Sequence, residues 1–212
     1  QITNSLPVVL GCTGGLTGIK AESHSTNLGE LQKDDKLGRL TVTNTLGDTD
    51  GDGDFDELYA FGARSFTIWD STGALVFDSG SDFERITASR FPSYFNLSND
   101  ENGTGDFDSR SDAKGPEPEA VAVGTVNGDL LAFVGLERIG GIAIYNIDNP
   151  ANPTFAGYFN NRDFATTLTT TTGGDSGPEG LEFVSATDSP TGKALLIVGN
   201  EISGTTTVYE VE

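Results

Sequence analysis

Apolar and polar positions alternate in short runs along most of this chain. The pattern is carried by LGRLTVTN (37–44), SFTIWD (65–70), ALVFDSG (74–80), EAVAVGTV (119–126), LLAFVGL (130–136), GIAIYNI (141–147), TFAGYF (154–159), ALLIVGN (194–200) and TTTVYEVE (205–212). A period of two sends successive side chains to opposite faces of a strand. The runs are rich in β-branched and aromatic residues, and Gly, Asn, Asp or Pro bounds most of them, so strands are predicted. Turn signals fall between them at Asn127-Gly128, Asp70 to Gly73 and Ser189 to Gly192. No long amphipathic helix is evident. ELQKDDKLG (30–38) suits one or two helical turns, and the Thr-rich run 166–172 a loop or an exposed edge.

Part of the pattern recurs. PEAVAV (118–123) matches PEGLEF (178–183), and each leads through a hairpin into GLERIGGIAIY (135–145) or GNEISGTTTVY (199–209). A weaker third copy is ELYAFGARSFTIW (57–69). A repeated unit of about four short strands closing on an aromatic reads as a β-propeller blade. The closing aromatics Trp69, Tyr145 and Tyr209 are 76 and 64 residues apart, so the units carry insertions. The expected fold is all-β: a partial propeller of three to four blades over residues 37–212, belonging to a larger ring, after a poorly defined segment 1–36. An open β-sandwich with a duplicated sheet is the alternative. The missing blades would come from an N-terminal portion of the same protein or from another copy of the chain.

One stretch breaks the alternation. DTDGDGDFDE (48–57) sets Asp48, Asp50, Asp52, Asp54 and Asp56 on every second position. Such a density of like charge calls for a counter-ion. With Asp48 as position 1 of an EF-hand frame, Asp50 is 3, Asp52 is 5, Gly53 is 6 and Asp56 is 9, while position 12 is Tyr59 and not Glu. The DxDxDGxxD pattern resembles the calcium loop of integrin-type propellers, which joins two strands, so Ca2+ is expected at 48–56. Asp100, Asn102, Thr104 and Asp108 repeat the frame with two neutral oxygens and form a second candidate. Asn96-Leu-Ser and Asn102-Gly-Thr are N-glycosylation sequons.

Charge narrows the partners. Against 12 Lys and Arg stand 32 Asp and Glu, for a net charge of −20 over 212 residues. Nucleic acid and anionic membrane would be repelled. No run reaches the roughly 18 apolar residues of a membrane span, so direct membrane insertion is not expected. The lone Cys12 allows no intrachain disulfide, and a chain without Met suits processing or a fragment. His24 is the single histidine, which excludes a His-rich zinc site; neither it nor Cys12 has a local partner suggesting catalysis.

A second charged cluster, FDSRSDAKGPEPE (107–119), holds Arg110, Lys114, Glu117 and Glu119, and the repeats add Glu137, Arg138, Glu179 and Glu201. By repeat, Glu119 is equivalent to Glu179 and Glu137 to Glu201. Carboxylates at equivalent places in successive blades would converge on a channel. There they could bind metal or, with Arg110, Lys114 and Arg138, an anion; the plainer reading is that each Glu pairs with an Arg or with backbone N–H groups to hold blades together. If catalysis occurs, Glu119, Arg138 and Glu179 are its candidates.

Together, LGRLTVTNTLGDTDGDGDFDELYAFGARSFTIWD, DSRSDAKGPEPEAVAVG, FVGLERIGGIAIYNIDNPANP and GPEGLEFVSATDSPTGKALLIVGNEISGTTTVYEVE resemble the choice-of-anchor I family, from about Leu37 to Glu212. The resemblance is to the C-terminal half of that domain; residues 1 to about 28 fit it poorly. It implies a secreted or cell-surface β-propeller, extracellular or periplasmic. Some members carry alkaline phosphatase or phytase-like esterase assignments. The expected function is therefore a calcium-binding module with a binding or structural role at the cell surface. The alternative is a calcium-dependent phosphoesterase.

Overall fold

The structure is a computed structural model that describes residues 33–36, 38–53, 55–62, 64–98, 107–166, 168–169 and 171–212. It is all-β with one short helix. Three antiparallel sheets follow one another along the chain. The first pairs β1 (Thr67–Trp69) with β2 (Leu75–Asp78) and leads into helix α1 (Asp82–Arg90). The second is a four-stranded meander of β3 (Pro118–Val126), β4 (Asp129–Leu136), β5 (Ile142–Asn146) and β6 (Thr154–Phe159). The third runs β7 (Pro178–Val184), β8 (Ala194–Asn200) and β9 (Thr205–Val211).

The predicted strands from residue 65 onward form where the alternation placed them. Val126 pairs with Asp129, so Asn127-Gly128 is a two-residue hairpin turn. The run 37–44 differs: among the described residues it contributes a single bridge, Val42 to Ala60. That bridge and β1 are what the weaker third copy forms. Helix α1 was not anticipated, because DFERITASR buries just Phe83 and Thr87 fully.

The middle sheet is covered on both faces, and the alternation explains how. Ala132, Val134, Leu136, Ala143 and Tyr145 join Phe66, Ile68 and Phe83 in one core, against the first sheet and α1. Phe133 and Ile142, pointing the other way, join Leu196 and Val198 of the third sheet in a second core. Side chains one residue apart thus serve opposite layers. The first strands of the two repeats meet closely. A Cβ on Gly124 of β3 would lie 2.1 Å from the Phe183 ring of β7, so glycine is required for that approach.

The sequence repeat is also a structural repeat. Each unit has the same register irregularity at its start, between Pro118 and Ala120 and between Pro178 and Gly180. Glu137 N donates to Glu117 O at 2.9 Å, and Glu201 N to Gly177 O at 2.7 Å. Glu117 and Gly177 therefore hold the same place in their units. Both have positive φ, 56° and 76°. Glycine accepts that conformation freely, whereas for glutamate before a proline it is strained.

Candidate functional site

The acidic loop lies between the two partners of the Val42 to Ala60 bridge and closes through Asp56 N and Glu57 N, both donating to Gly47 O. Its carboxylates turn inward because backbone donors hold them. Asp48 accepts from Gly51 N at 2.6 Å and Gly53 N at 3.1 Å, and Asp50 from Asp52 N at 3.2 Å. Asp56 accepts from Thr49 N and Oγ1 at 2.9 and 2.5 Å. Carboxylate oxygens of Asp48, Asp50 and Asp56 come within 4.8 Å of one another. The donor set is all oxygen and anionic, which suits a hard divalent cation. Asp52 is not in that trio, and Asp54 lies outside the described residues.

The second predicted loop cannot be traced in the same way. Asp100, Asn102 and Thr104 lie outside the described residues, as do Cys12 and His24. Asp108 itself accepts from the Ser111 hydroxyl and lies 3.5 Å from Arg39.

Of the two sequons, Asn96 is 1% exposed. Its Nδ2 donates to Ser111 Oγ at 2.7 Å and Glu84 Oε1 at 3.2 Å, and its backbone O accepts from Arg110 N at 3.0 Å. The amide is thus enclosed and used in binding one loop base together. Asn102 lies outside the described residues.

The charged cluster does assemble. Glu117, 1% exposed, pairs with Lys114, with Arg138 Nε and with Arg110 Nη2, the last at 3.3 Å. Lys114 also lies 3.1 Å from Glu119, and Arg138 Nη1 lies 3.3 Å from Glu137. Carboxylate oxygens of Glu117, Glu119 and Glu137 fall within 4.8 Å of one another. Three carboxylates and three cations therefore neutralise each other in one network. Glu117, Glu119 and Glu137 each lie beside a cation. Glu179 on β7 and Glu201 in the turn after β8 are exposed and belong to neither carboxylate group.

A further polar centre had no signal in the sequence. Asp175 accepts from Thr205 Oγ1 at 2.7 Å, Thr207 Oγ1 and Asn161 Nδ2 at 2.8 Å, and Tyr209 OH at 3.0 Å. Burial alone would raise this carboxyl; the bonds from Thr205, Asn161, Thr207 and Tyr209 outweigh it and hold the group below the ordinary carboxylate range. The donors recur at every second residue of β9, which is a signal visible once β9 is known to face Asp175.

A family model, the choice-of-anchor I domain, matches residues 15–150. The chain belongs to the choice-of-anchor I family. The match starts ahead of Leu37, inside the region where the sequence resemblance was poor. Among curated relatives, gigasin-3a of Magallana gigas is 34% identical over 193 residues, covering 85% of this chain and 66% of that protein. The mesenchyme-specific cell surface glycoprotein of Strongylocentrotus purpuratus is 35% identical over 111 residues, covering 47% of this chain and 14% of its own. This choice-of-anchor I chain thus spans about two thirds of the first relative and a small part of the second. No solved structure matches it. Among the described residues, no helix is long and apolar enough to cross a membrane.

Proposed function

We propose that this choice-of-anchor I chain is part of a calcium-stabilised β-propeller that acts outside the cell as a binding or structural module. The observation that carries the reading is the meeting of the Asp48, Asp50 and Asp56 carboxylates in one turn-rich loop. A like-charged trio held inward by backbone donors is poorly compensated alone and well compensated by Ca2+. The succession of three antiparallel sheets along the chain supports the propeller, because successive sheets share cores. The name of the sea-urchin relative, a cell surface glycoprotein, supports a surface location.

Calorimetric titration tests the metal. Ca2+ should bind once in the loop and raise the melting temperature, and Asp48→Asn with Asp56→Asn should abolish both effects. At a calcium level one hundredfold above Kd the stabilisation should be about 2.7 kcal/mol. A melt that ignores both calcium and chelator would overturn the reading. Calcium-dependent release of phosphate from p-nitrophenyl phosphate would favour the phosphoesterase instead. Its groups would be Glu117, Glu119, Glu137 and Arg138, with cations freed from the network they now form.

A further inference from the structure

We propose that Arg110, Lys114 and Arg138 form a binding site for the carboxylate of an acidic ligand, and that Glu117 is an internal occupant that keeps this site closed. The proposal holds whether or not the acidic loop binds calcium. It requires binding without turnover, so it stands or falls apart from the phosphoesterase reading.

Three cations converge on one carboxylate. Lys114 meets Glu117 Oε1, while Arg138 Nε and Arg110 Nη2 meet Oε2. A carboxylate gripped at both oxygens by guanidinium and ammonium groups is held as a bound acid would be. Glu117 keeps this place against its own backbone: its φ is 56° and Pro118 follows. The twin unit makes the same turn with Gly177, so the turn itself needs no glutamate. The strain lies in the occupant, and it is relieved when Glu117 leaves.

The cations are fixed by bonds that do not involve the Glu117 side chain. Arg110 N donates to Asn96 O at 3.0 Å, and Gly115 N to Arg110 O at 2.8 Å. Arg64 Nη2 donates to Ser111 O and, at 3.2 Å, to Ala113 O. The stem of Lys114 lies against Gly62, where a Cβ would stand 2.0 Å from Lys114 Cδ. Arg138 N donates to Pro116 O at 3.2 Å. Among the described residues, the buried Arg110 Nε makes no hydrogen bond, which leaves one prong of its fork for a further oxygen. The side chains of Arg110, Lys114 and Arg138 are 24%, 30% and 23% exposed, against 2% for Glu117, so solvent reaches the cations themselves. Without the Glu117 charge, three cations face the two carboxylates of Glu119 and Glu137. A single carboxylate restores neutrality there.

Acetate is the probe. Glu117→Gly vacates the site and retains the turn, as Gly177 does. With ionic strength held constant by chloride, acetate should raise the melting temperature of Glu117→Gly saturably. It should bind this variant about tenfold or more tightly than the wild type, whose site is filled by Glu117 in most molecules. Adding Arg138→Ile to Glu117→Gly should remove the binding. If Glu117→Gly does not fold in chloride, acetate should restore folding. The proposal is overturned if acetate acts alike on the wild type and on Glu117→Gly, or if the double variant retains the effect. It is equally overturned if a variant unfolded in chloride stays unfolded in acetate, or if inorganic phosphate binds Glu117→Gly more tightly than acetate does, since the site is then one for phosphate.

Discussion

The two repeated units use one backbone plan and hold it with different chemistry. At the start of the first, Glu117 occupies a positive-φ position, buried among Arg110, Lys114 and Arg138. At the start of the second, Gly177 takes the same place without strain, and Ile202 stands where the repeat has Arg138. The second unit is closed instead by one carboxylate, Asp175, and the hydroxyl-bearing face of β9. The fold therefore needs the left-handed turn but not the ion network. Strain at Glu117, of order 1–3 kcal/mol, is tolerated in the first unit because three cations fix the carboxylate. Such an outlier, present in one copy and absent from its twin, marks the first unit as the specialised one.

The comparison can be broken most strongly at Glu117. Glu117→Gln keeps the strained turn and removes the charge, leaving three cations against the two carboxylates of Glu119 and Glu137. A loss of about 3–5 kcal/mol is expected in urea denaturation; a loss below 1 kcal/mol would show that the network behaves as a surface ion pair. Next, Asn96→Ala removes the amide that ties Ser111 and Glu84 beneath the first unit, at about 1–3 kcal/mol. The same burial predicts that Asn96 carries no glycan after passage through a secretory pathway, which peptide mass spectrometry reads directly.

A subtler test converts one unit into the other. Glu117→Gly and Arg138→Ile should each destabilise, but the double variant should lose less than the sum by about 1 kcal/mol or more. Glycine relieves the turn, and removing a cation together with the anion leaves less uncompensated charge. Strict additivity would mean that Glu117 and Arg138 do not act as a unit. The smallest effect belongs to the second unit. Asp175 has a depressed folded value, so its contribution is present above the ordinary carboxylate range, near pH 3.9. It is lost as pH falls through the lower folded value. Asp175→Asn should flatten the acid limb of the stability profile there, and a wild-type limb would remove Asp175 from the closure.

Much of this contrast could be read from residue order. The alternating runs from residue 65 gave the strands, because β-branched and aromatic residues leave a pleated ladder few alternatives. The aligned Pro-Glu pairs gave the repeat. Helix α1 was missed because its apolar residues are sparse, although Ser81 with Glu84 three residues on and an acidic first turn mark a helix start. The run 37–44 looked like a strand, yet Val42 alone finds a partner among the described residues. The acidic loop was plain, since alternating aspartates have few structural uses. The gathering around Glu117 was legible as composition and not as geometry. Only the alignment of Glu117 with Gly177 discloses the turn, and that alignment needs the backbone bonds of both units.

The double-sided burial of the middle sheet has a consequence for the order of assembly. Its strands β3 to β5 are neighbours in sequence, joined by the two-residue turn at Asn127-Gly128 and the short turn 137–141. Contacts of short sequence separation close first, because little loop entropy opposes them. On a ribosome this meander also emerges before β7 to β9 do. It would therefore present Phe133 and Ile142 as an unfinished surface, awaiting Leu196 and Val198. The third sheet then needs no nucleus of its own: it condenses on a face already made, so an early stall in synthesis leaves the apolar face of Phe133 and Ile142 uncovered.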